Sequence, residues 1–309
     1  MRLISEAVNM QIESEVLMPM TLITKEDYLE FMSNKKYVTI GNLTIPLEKK
    51  HIQKLEPDNY KIESTTIWSF PDRGYWSTHK GDYRGNWSPY IPRNLIMRYT
   101  KAGDIVLDQM MGSGTTLVEC KLLGRNGIGV DINYDAVMLA QNRLDFEYKD
   151  SNVNTYHGDA RNLDKIEDES IDLIATHPPY AGIIQYSNRK NRADLSSLSI
   201  KEYLQEMYKV SQESFRVLKK GKYCAILIGD TRRHKHYIPI THNIMHIFLE
   251  AGFILKEYII KVQHNMKTTR EIWKGNYDFY KIAHEHLLVF RKPESGEKVR
   301  RLAYSSDLL

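Results

Sequence analysis

The sequence has few cysteines, no long apolar run and little net charge, and each of these absences excludes a class of protein. Its 309 residues contain two cysteines, Cys120 and Cys224. This number excludes a disulfide-rich scaffold, and we expect two reduced thiols in the core. The longest apolar runs, such as 223–228, fall well short of the ~20 residues that span a bilayer, and no signal-peptide pattern is present. We therefore expect no membrane partner and a cytoplasmic location.

The overall charge is mildly basic, with a net charge of +4 and a pI near 8.7. Such a charge permits a polyanionic partner without requiring one. Hydrophobic residues make up 42% of the chain and charged residues 27%, which is ordinary globular composition and excludes a disordered or fibrous protein. The length suits one large α/β domain with an extension.

From about residue 61, short β-rich runs alternate with helical segments. This alternation predicts a doubly wound α/β domain around a mostly parallel sheet. Strands are predicted at 104–107, 127–130, 171–175, 223–228, 253–262 and 286–290. Helices are predicted at 90–99, 115–123, 134–144, 200–218 and 240–251. Residues 1–60 are expected to form a small N-terminal extension of unknown role, in which Thr24 and Asp27 resemble a helix-capping box and 37–45 a short strand.

A glycine turn follows the first strand of the alternating pattern, in the run Asp104-Ile-Val-Leu-Asp108-Gln-Met-Met-Gly112-Ser-Gly114-Thr-Thr. In open α/β sheets, ligands bind at the carboxyl ends of strands, and glycine lets the backbone approach them closely. Asp131 closes the next strand, where a carboxylate can accept hydrogen bonds from ribose hydroxyls. A tight turn without a ligand is the structural alternative. A dinucleotide fingerprint fails because Leu117 replaces its third glycine, and no Gly-Lys-Ser/Thr phosphate loop is present.

The stretch 90–133 resembles the cofactor half of the bacterial DNA amino-methyltransferases, whose usual form is Asp-Pro-Phe-x-Gly-Ser-Gly-Thr-Thr. Here Gln109-Met110 replaces Pro-Phe, and Met110 or Met111 can take the place of the Phe. The resemblance covers roughly 64–292 and implies a class I, Rossmann-like fold with a seven-stranded sheet and S-adenosyl-L-methionine as cofactor. It divides a methyltransferase domain at 61–295 into a cofactor half (87–165) and a catalytic half (166–230), followed by a tail at 296–309. The cofactor residues that it implies are Pro92, Asp108, Met110, Met111, Gly112, Ser113, Gly114, Thr115, Asp131, Ile132, Asp159 and Ala160.

A second motif, Ile171-Asp-Leu-Ile-Ala-Thr-His177-Pro178-Pro179-Tyr180, ends a predicted strand in two prolines and an aromatic residue. It resembles the catalytic signature of amino-methyltransferases, in which Asp, Asn or Ser precedes Pro-Pro. Prolines fix φ and lack an N–H, so the turn is rigid and its carbonyls remain free acceptors. If the residue before the prolines and a backbone carbonyl accept the two hydrogens of an exocyclic amino group, the nitrogen lone pair is directed at the sulfonium methyl group. The resemblance therefore implies that His177, Pro178, Pro179 and Tyr180 are catalytic, with Tyr180 stacked on a flipped base.

His177 departs from the usual motif. A neutral imidazole offers one acceptor nitrogen, whereas an imidazolium offers none, so we expect turnover to fall at low pH through a pKa near the reference value of about 6.5. Adenine-N6 enzymes usually carry Asp or Asn at this place and cytosine-N4 enzymes Ser, a neutral acceptor like histidine. The motif therefore favours cytosine N4 over adenine N6. A proline turn with Tyr180 as a lid over the core is the structural alternative.

Basic residues cluster in three predicted loops at 186–194, 231–240 and 265–284, which the resemblance makes candidates for target recognition. The expected nucleic-acid contacts are Arg189, Lys190, Arg192, Arg232, Arg233, Lys235, Lys267 and Arg270. The implied partner is double-stranded DNA, with a cognate restriction endonuclease that acts on the same site. Each cluster taken alone is equally compatible with solvated surface.

Three alternatives to this function stay open. RNA base methyltransferases and protein-glutamine methyltransferases use related Pro-Pro-Tyr turns, and a DNA-binding module with a vestigial cofactor pocket would keep the same fold.

The histidine pairs His234/His236 and His284/His286 suggest a metal, but no third ligand stands at a suitable spacing, so no metal is expected.

Overall fold

The computed structural model describes residues 17–49, 51–180, 194–264, 278–299 and 302. Its strands are β1 (Thr21–Ile23), β2 (Tyr37–Ile40), β3 (Leu43–Pro46), β4 (Ile67–Ser69), β5 (Ile105–Asp108), β6 (Asn126–Asp131), β7 (Val153–His157), β8 (Ile171–Thr176), β9 (Leu218–Ile228), β10 (Thr231–Arg233), β11 (His236–Ile238), β12 (Ile254–Val262) and β13 (His284–Arg291). Its α-helices are α1 (Lys25–Asn34), α2 (Tyr90–Tyr99), α3 (Thr115–Leu123), α4 (Tyr134–Leu144), α5 (Ile200–Val217) and α6 (Ile240–Glu250), and Leu195–Ser197 forms one turn of 3₁₀-helix.

The main sheet has the strand order β1-β7-β6-β5-β8-β9-β13-β12-β4. Strands β7, β6, β5, β8 and β9 run parallel, and β13 lies antiparallel between β9 and β12. These seven strands confirm the predicted doubly wound, Rossmann-like α/β fold. Two three-residue strands, β1 and β4, extend the sheet at its edges, so that it has nine strands rather than seven in the described part of the chain.

Alternate residues of the central strands enter two different cores. Val106 and Leu173 pack with helix α2 on one face of the sheet, whereas Leu107 and Ile174 pack with α5 and α6 on the other. This alternation follows from the two-residue period of a strand, and both faces must be apolar because helices cover both. The same cores bury Cys120 and Cys224 as free thiols. Among the described residues, no helix is long and apolar enough to cross a membrane.

Residues 17–49 pack against the same domain. Strand β1 pairs with β7, and Tyr28 and Val38 share a core with helices α3 and α4. The predicted capping box is present, since Thr24 and Asp27 bond each other's backbone N–H groups. The single strand expected at 37–45 is instead a hairpin of β2 and β3, which turns at Gly41 with a φ of 59°. The role of this segment and the division of the chain near residue 60 stay predictions.

A fully buried carboxylate, Glu119 of α3, ties three parts of the chain together. Its Oε1 accepts hydrogen bonds from Trp76 Nε1 at 2.7 Å and lies 2.7 Å from His79 Nε2, while Oε2 accepts from Arg93 of α2 at 2.9 Å. Burial lowers the pKa of His79, so the ring stays neutral and the nitrogen that faces the carboxylate carries its hydrogen. This cluster anchors the segment before α2 on α3, and that segment forms one wall of the candidate site described below.

Removing this carboxylate should therefore destabilise the fold. Glu119→Ala removes the buried partner of Arg93, Trp76 and His79 and leaves Arg93 with Glu56 alone, and we expect the free energy of unfolding to fall by about 3–5 kcal/mol. Urea denaturation followed by circular dichroism measures this change. The control is Asp168→Ala, which breaks an ion pair between Arg216 and a carboxylate that is 73% exposed and should cost less than about 1 kcal/mol. Equal losses in the two variants would contradict the anchoring role.

Candidate functional site

A cavity of about 440 Å³ lies at the carboxyl ends of β5, β6 and β8. Its position matches the rule that ligands of open α/β sheets bind beyond these strand ends. The lining residues named by the sequence motifs are Asp108, Met110, Met111, Gly112, Ser113, Asp131, Ile132, Asp159, Ala160, His177 and Pro179. Both motifs therefore contribute to one cavity.

The glycine turn between β5 and α3 shapes the floor of this cavity. Gly112 and Gly114 have φ angles of 51° and 79°, in the left-handed region that side chains rarely adopt. A Cβ at Gly114 would lie 3.0 Å from the Cβ of Ala140, so the close packing of α4 also requires glycine there. The backbone N–H of Met111 donates to the Val130 carbonyl at 3.0 Å, which fixes the turn to β6.

Asp131 stands at the end of β6 and faces this turn. Its Oδ2 accepts the N–H of Gly112 at 2.8 Å, and its Oδ1 accepts that of Asn133 at 2.9 Å. Burial raises the pKa of Asp131 to about 7, and the nearby Asp194 adds to the shift. Each oxygen has accepted one hydrogen bond, so each keeps a lone pair for a ligand hydroxyl.

Asp108 stands at the end of β5 and is only 2% exposed. Its Oδ1 accepts from Thr176 Oγ1 at 2.9 Å, and its Oδ2 accepts from the hydroxyl of Thr116 in α3. Burial raises the pKa of Asp108 to about 6. The carboxylate therefore binds side chains of the protein itself and connects β5, α3 and β8 beside the cavity.

Three of the expected cofactor residues, Pro92, Gly114 and Thr115, do not line the cavity. Pro92 is buried inside α2, and residues upstream of it line the cavity instead, namely Tyr83, Gly85, Asn86 and Trp87. Asp159, which does line the cavity, forms an ion pair with Arg161, and Arg161 Nη2 lies 2.6 Å from Asp159 Oδ2.

The proline turn brings His177 and Pro179 into the cavity, whereas Pro178 and Tyr180 lie outside its lining. The imidazole of His177 stacks on Trp87 with ring centroids 5.8 Å apart. Burial lowers the pKa of His177 to about 4; Glu285 opposes this shift, and Lys261 and Arg73 add to it. The expectation of a titration near 6.5 is therefore corrected, because the ring is neutral throughout the physiological range.

Tyr180 points its hydroxyl into the protein. The hydroxyl donates to Glu285 Oε1 at 2.8 Å and lies 2.8 Å from His177 Nε2. Its ring packs on Gly229, where a Cβ would come within 3.2 Å of it. On the far side, Glu285 Oε2 lies 2.8 Å from the ammonium group of Lys261.

Several lining residues lie outside the two motifs. The hairpin of β2 and β3 contributes Thr39 and Gly41, and no motif in the N-terminal segment indicated this. Asn133 and Tyr134 directly follow Asp131, so their place next to a strand end was available as a signal. The others missed are His157, Asp194 and Leu195, whereas Gln109 belongs to the first motif but was not named as a cofactor residue.

Of the expected nucleic-acid contacts, Arg189, Lys190, Arg192, Lys267 and Arg270 lie outside the described residues.

The other three lie on the hairpin of β10 and β11. Arg232 is engaged within the protein, since it donates to the carbonyls of Lys235 at 2.9 Å and Tyr280 at 2.8 Å. Arg233 and Lys235 are exposed. Among the described residues, no group of three or more His, Cys, Asp or Glu side chains is arranged to hold a metal ion.

Comparison with known protein families identifies the family of this chain. A family model described as DNA methylase matches residues 21–142 and 171–306. The chain belongs to the DNA methylase family. The match begins at β1, well before the limit of residue 64 expected from the motifs. A second model, described as an RMKL-like methyltransferase domain, matches residues 93–231. S-adenosyl-L-methionine is the cofactor of this family, as the resemblance implied.

Curated relatives of the methylase include DNA and RNA enzymes. The type II methyltransferase M.MjaII of Methanocaldococcus jannaschii is 28% identical over 46% of this chain and 28% of its own length. The type II methyltransferase M.HpaI of Haemophilus parainfluenzae is 30% identical over 40% of this chain and 39% of its own. A tRNA (guanine(10)-N2)-dimethyltransferase of Methanothermobacter thermautotrophicus is 35% identical over 32% of this chain and 29% of its own. In each case the chain spans well under half of the relative's length.

Proposed function

We propose that this chain transfers a methyl group from S-adenosylmethionine to the exocyclic amino group of a base flipped out of double-stranded DNA. Cytosine N4 is favoured over adenine N6. The observation that carries the proposal is that a single cavity of about 440 Å³ is lined by the glycine turn, Asp131, His177 and Pro179. A methyl donor and an amino acceptor must meet in one enclosed space for direct transfer, and this cavity brings the two motifs together.

The residues present fit the cofactor. The free lone pairs of Asp131 suit the two ribose hydroxyls, and the narrow glycine turn lets the backbone approach the ligand. The cavity is acidic, since Asp108, Asp131 and Asp194 all line it while Asp159 is paired with Arg161. An acidic wall repels phosphates and favours the cationic methionyl end. When bound, the cofactor supplies a methyl group on a positively charged sulfur.

His177 and the proline turn would orient the amino group. An exocyclic amino nitrogen is a weak nucleophile because its lone pair is delocalised into the ring. The low pKa of His177 keeps the imidazole neutral, so one ring nitrogen is an acceptor at every physiological pH. Together with a carbonyl of the proline turn, it would accept the two amino hydrogens and direct the lone pair toward the methyl group. The chemistry then rests on positioning and fixed dipoles, with no covalent enzyme intermediate.

The preference for cytosine comes from this neutral acceptor, because cytosine-N4 enzymes usually carry a neutral Ser at the same place. Adenine N6 is the alternative target. An RNA base is a further alternative, favoured by the tRNA dimethyltransferase among the relatives. Stacking of the base on Tyr180 stays a prediction, and the ring is in close contact with Gly229.

Incubation with labelled cofactor and DNA, tRNA or protein tests the reaction and its substrate class. Mass spectrometry of the digested DNA should reveal N4-methylcytosine. We expect His177→Ala to lower the rate about 100-fold, the scale for losing one preorganised group. His242→Ala, which changes an exposed histidine of α6, should leave the rate unchanged. N6-methyladenine alone would overturn the base preference, and label in tRNA or protein but not in DNA would overturn the DNA assignment.

Cofactor affinity should depend on the charge of Asp131. The carboxylate must be ionised to accept two hydroxyl hydrogens, and its pKa in the free protein is about 7. We therefore expect affinity measured by calorimetry to be constant above pH 7 and to fall toward tenfold per pH unit below it. Asp131→Asn should weaken binding by about 1–3 kcal/mol at pH 8 and remove this pH dependence. Asp168→Asn is the control, and identical pH profiles in all three proteins would remove the assignment.

The hairpin of β10 and β11 should contact the DNA backbone through Arg233 and Lys235, which are exposed. Neutralising both with glutamine should reduce the log–log salt slope of DNA binding by about one unit for each lost phosphate contact. Arg232→Gln is the informative comparison, because Arg232 is bonded within the protein and its loss should loosen the hairpin without removing a contact of its own. An unchanged slope in the double variant would make the hairpin ordinary surface.

A further inference from the structure

The catalytic turn is connected to the far side of the sheet by a chain of four side chains. His177 and Tyr180 follow β8, Glu285 belongs to β13 and Lys261 to β12. The three links between their polar atoms are each 2.8 Å long. Lys261 and Glu285 are direct cross-strand partners in the β12–β13 register, so the sheet itself fixes their pairing.

The charged end of this chain is buried. Glu285 is 7% exposed, and the side chain of Lys261 is 16% exposed. Burial alone would raise the pKa of Glu285, but Lys261, His177 and Tyr180 hold it at about 2, so the carboxylate is ionised. A buried ion pair seldom stabilises a fold more than apolar residues of the same volume. Stability therefore does not account for a carboxylate directed at the catalytic turn.

The charge on Glu285 decides how the hydrogens are arranged. An ionised carboxylate only accepts hydrogen bonds, and a bond to it is about twice as strong as one to a neutral acceptor. The Tyr180 hydroxyl accordingly donates to Glu285, and its oxygen can then only accept from the neutral His177 ring. This favours the imidazole hydrogen on Nε2 and the lone pair on Nδ1, against the backbone hydrogen bond of the ring with Gly85, which favours the protonated ring.

We propose that Glu285 is a positioning residue, which acts through the Tyr180 hydroxyl to fix both the orientation and the tautomer of His177. Its link to catalysis rests on the proposed function, in which His177 is an acceptor. Without the charge, the hydroxyl is free to donate to Nε2, and the ring hydrogen moves to Nδ1. The acceptor nitrogen would then be the wrong one.

Nitrogen-15 NMR of histidine-labelled protein tests the tautomer without any substrate. The His177 signals are assigned by their loss in His177→Gln. We expect the hydrogen on Nε2 in the wild type and a shift toward Nδ1 in both Glu285→Gln and Tyr180→Phe, the second of which keeps the aromatic ring. The control is Asp172→Asn, which removes another buried carboxylate at the same 2.8 Å distance from a lysine, Lys219, at the opposite end of β8.

Kinetics separate positioning from a purely structural role. Losing a hydrogen bond to a charged group should lower kcat about tenfold or more in Glu285→Gln and in Tyr180→Phe, with each KM within about twofold. Because Glu285 acts through the hydroxyl, the double variant should be no worse than Tyr180→Phe. Asp172→Asn should keep the wild-type kcat.

The same tautomer in wild type, Glu285→Gln and Tyr180→Phe would overturn the proposal, as would additive losses in the double variant. A wild-type protein that methylates no DNA would instead count against the proposed function. The NMR comparison would still decide whether Glu285 positions His177.

Discussion

The arrangement of the site depends on the buried carboxylate of Asp108. It accepts hydrogen bonds from Thr116, in the first turn of the helix after the glycine turn, and from Thr176, the residue before His177. These two threonines belong to the cofactor half and the catalytic half of the sequence. A single carboxylate thus fixes the separation between the floor of the cavity and the proline turn. Burial raises the pKa of Asp108 because it disfavours the charged carboxylate, and hydrogen bonds from the two threonine hydroxyls offset part of this effect.

Other polar contacts hold the two walls of the cavity. Trp87 stacks on His177 and is carried by the segment that Glu119 anchors through Trp76, His79 and Arg93. The opposite wall includes the β2–β3 hairpin, where the backbone N–H of Thr39 donates to Asp135 of α4 at 2.6 Å. Specific polar contacts, buried around Glu119 and exposed at Thr39, therefore hold both walls, which would suit the proposed reaction because it rests on positioning.

Local patterns predicted much of the fold. Helices α2, α3 and α4 begin and end at the predicted residues, because apolar periodicity and glycine ends are short-range signals. Strand β7 was missed, since Asn154, Thr155 and His157 give it a polar composition, and β1 and β4 have only three residues each. Their pairing is decided by distant partners, which local sequence does not encode.

The site also combines residues that local patterns indicate with residues that depend on distant partners. Asp108, Asp131 and His177 were identified because they end strands within motifs, whereas Glu285 lies 105 residues from the tyrosine that it holds. The hydrogen bond of Arg232 to the carbonyl of Tyr280, 48 residues away, was likewise not predicted, and its contact with DNA stays a prediction. The sequence indicated a cluster of basic side chains, but not which of them are already hydrogen-bonded within the protein.

The position of β13 in the chain has a consequence for biosynthesis. The glycine turn, Asp131 and His177 are all translated before residue 180, yet the carboxylate that holds Tyr180 emerges from the ribosome about a hundred residues later. Strand β13 must also insert between β9 and β12, both of which precede it in the chain. A chain without β13 keeps the bond between Asp108 and Thr176 but lacks the Glu285 acceptor of the Tyr180 hydroxyl. The hydrogen bond between Tyr180 and Glu285 can therefore form only after β13 has been synthesised.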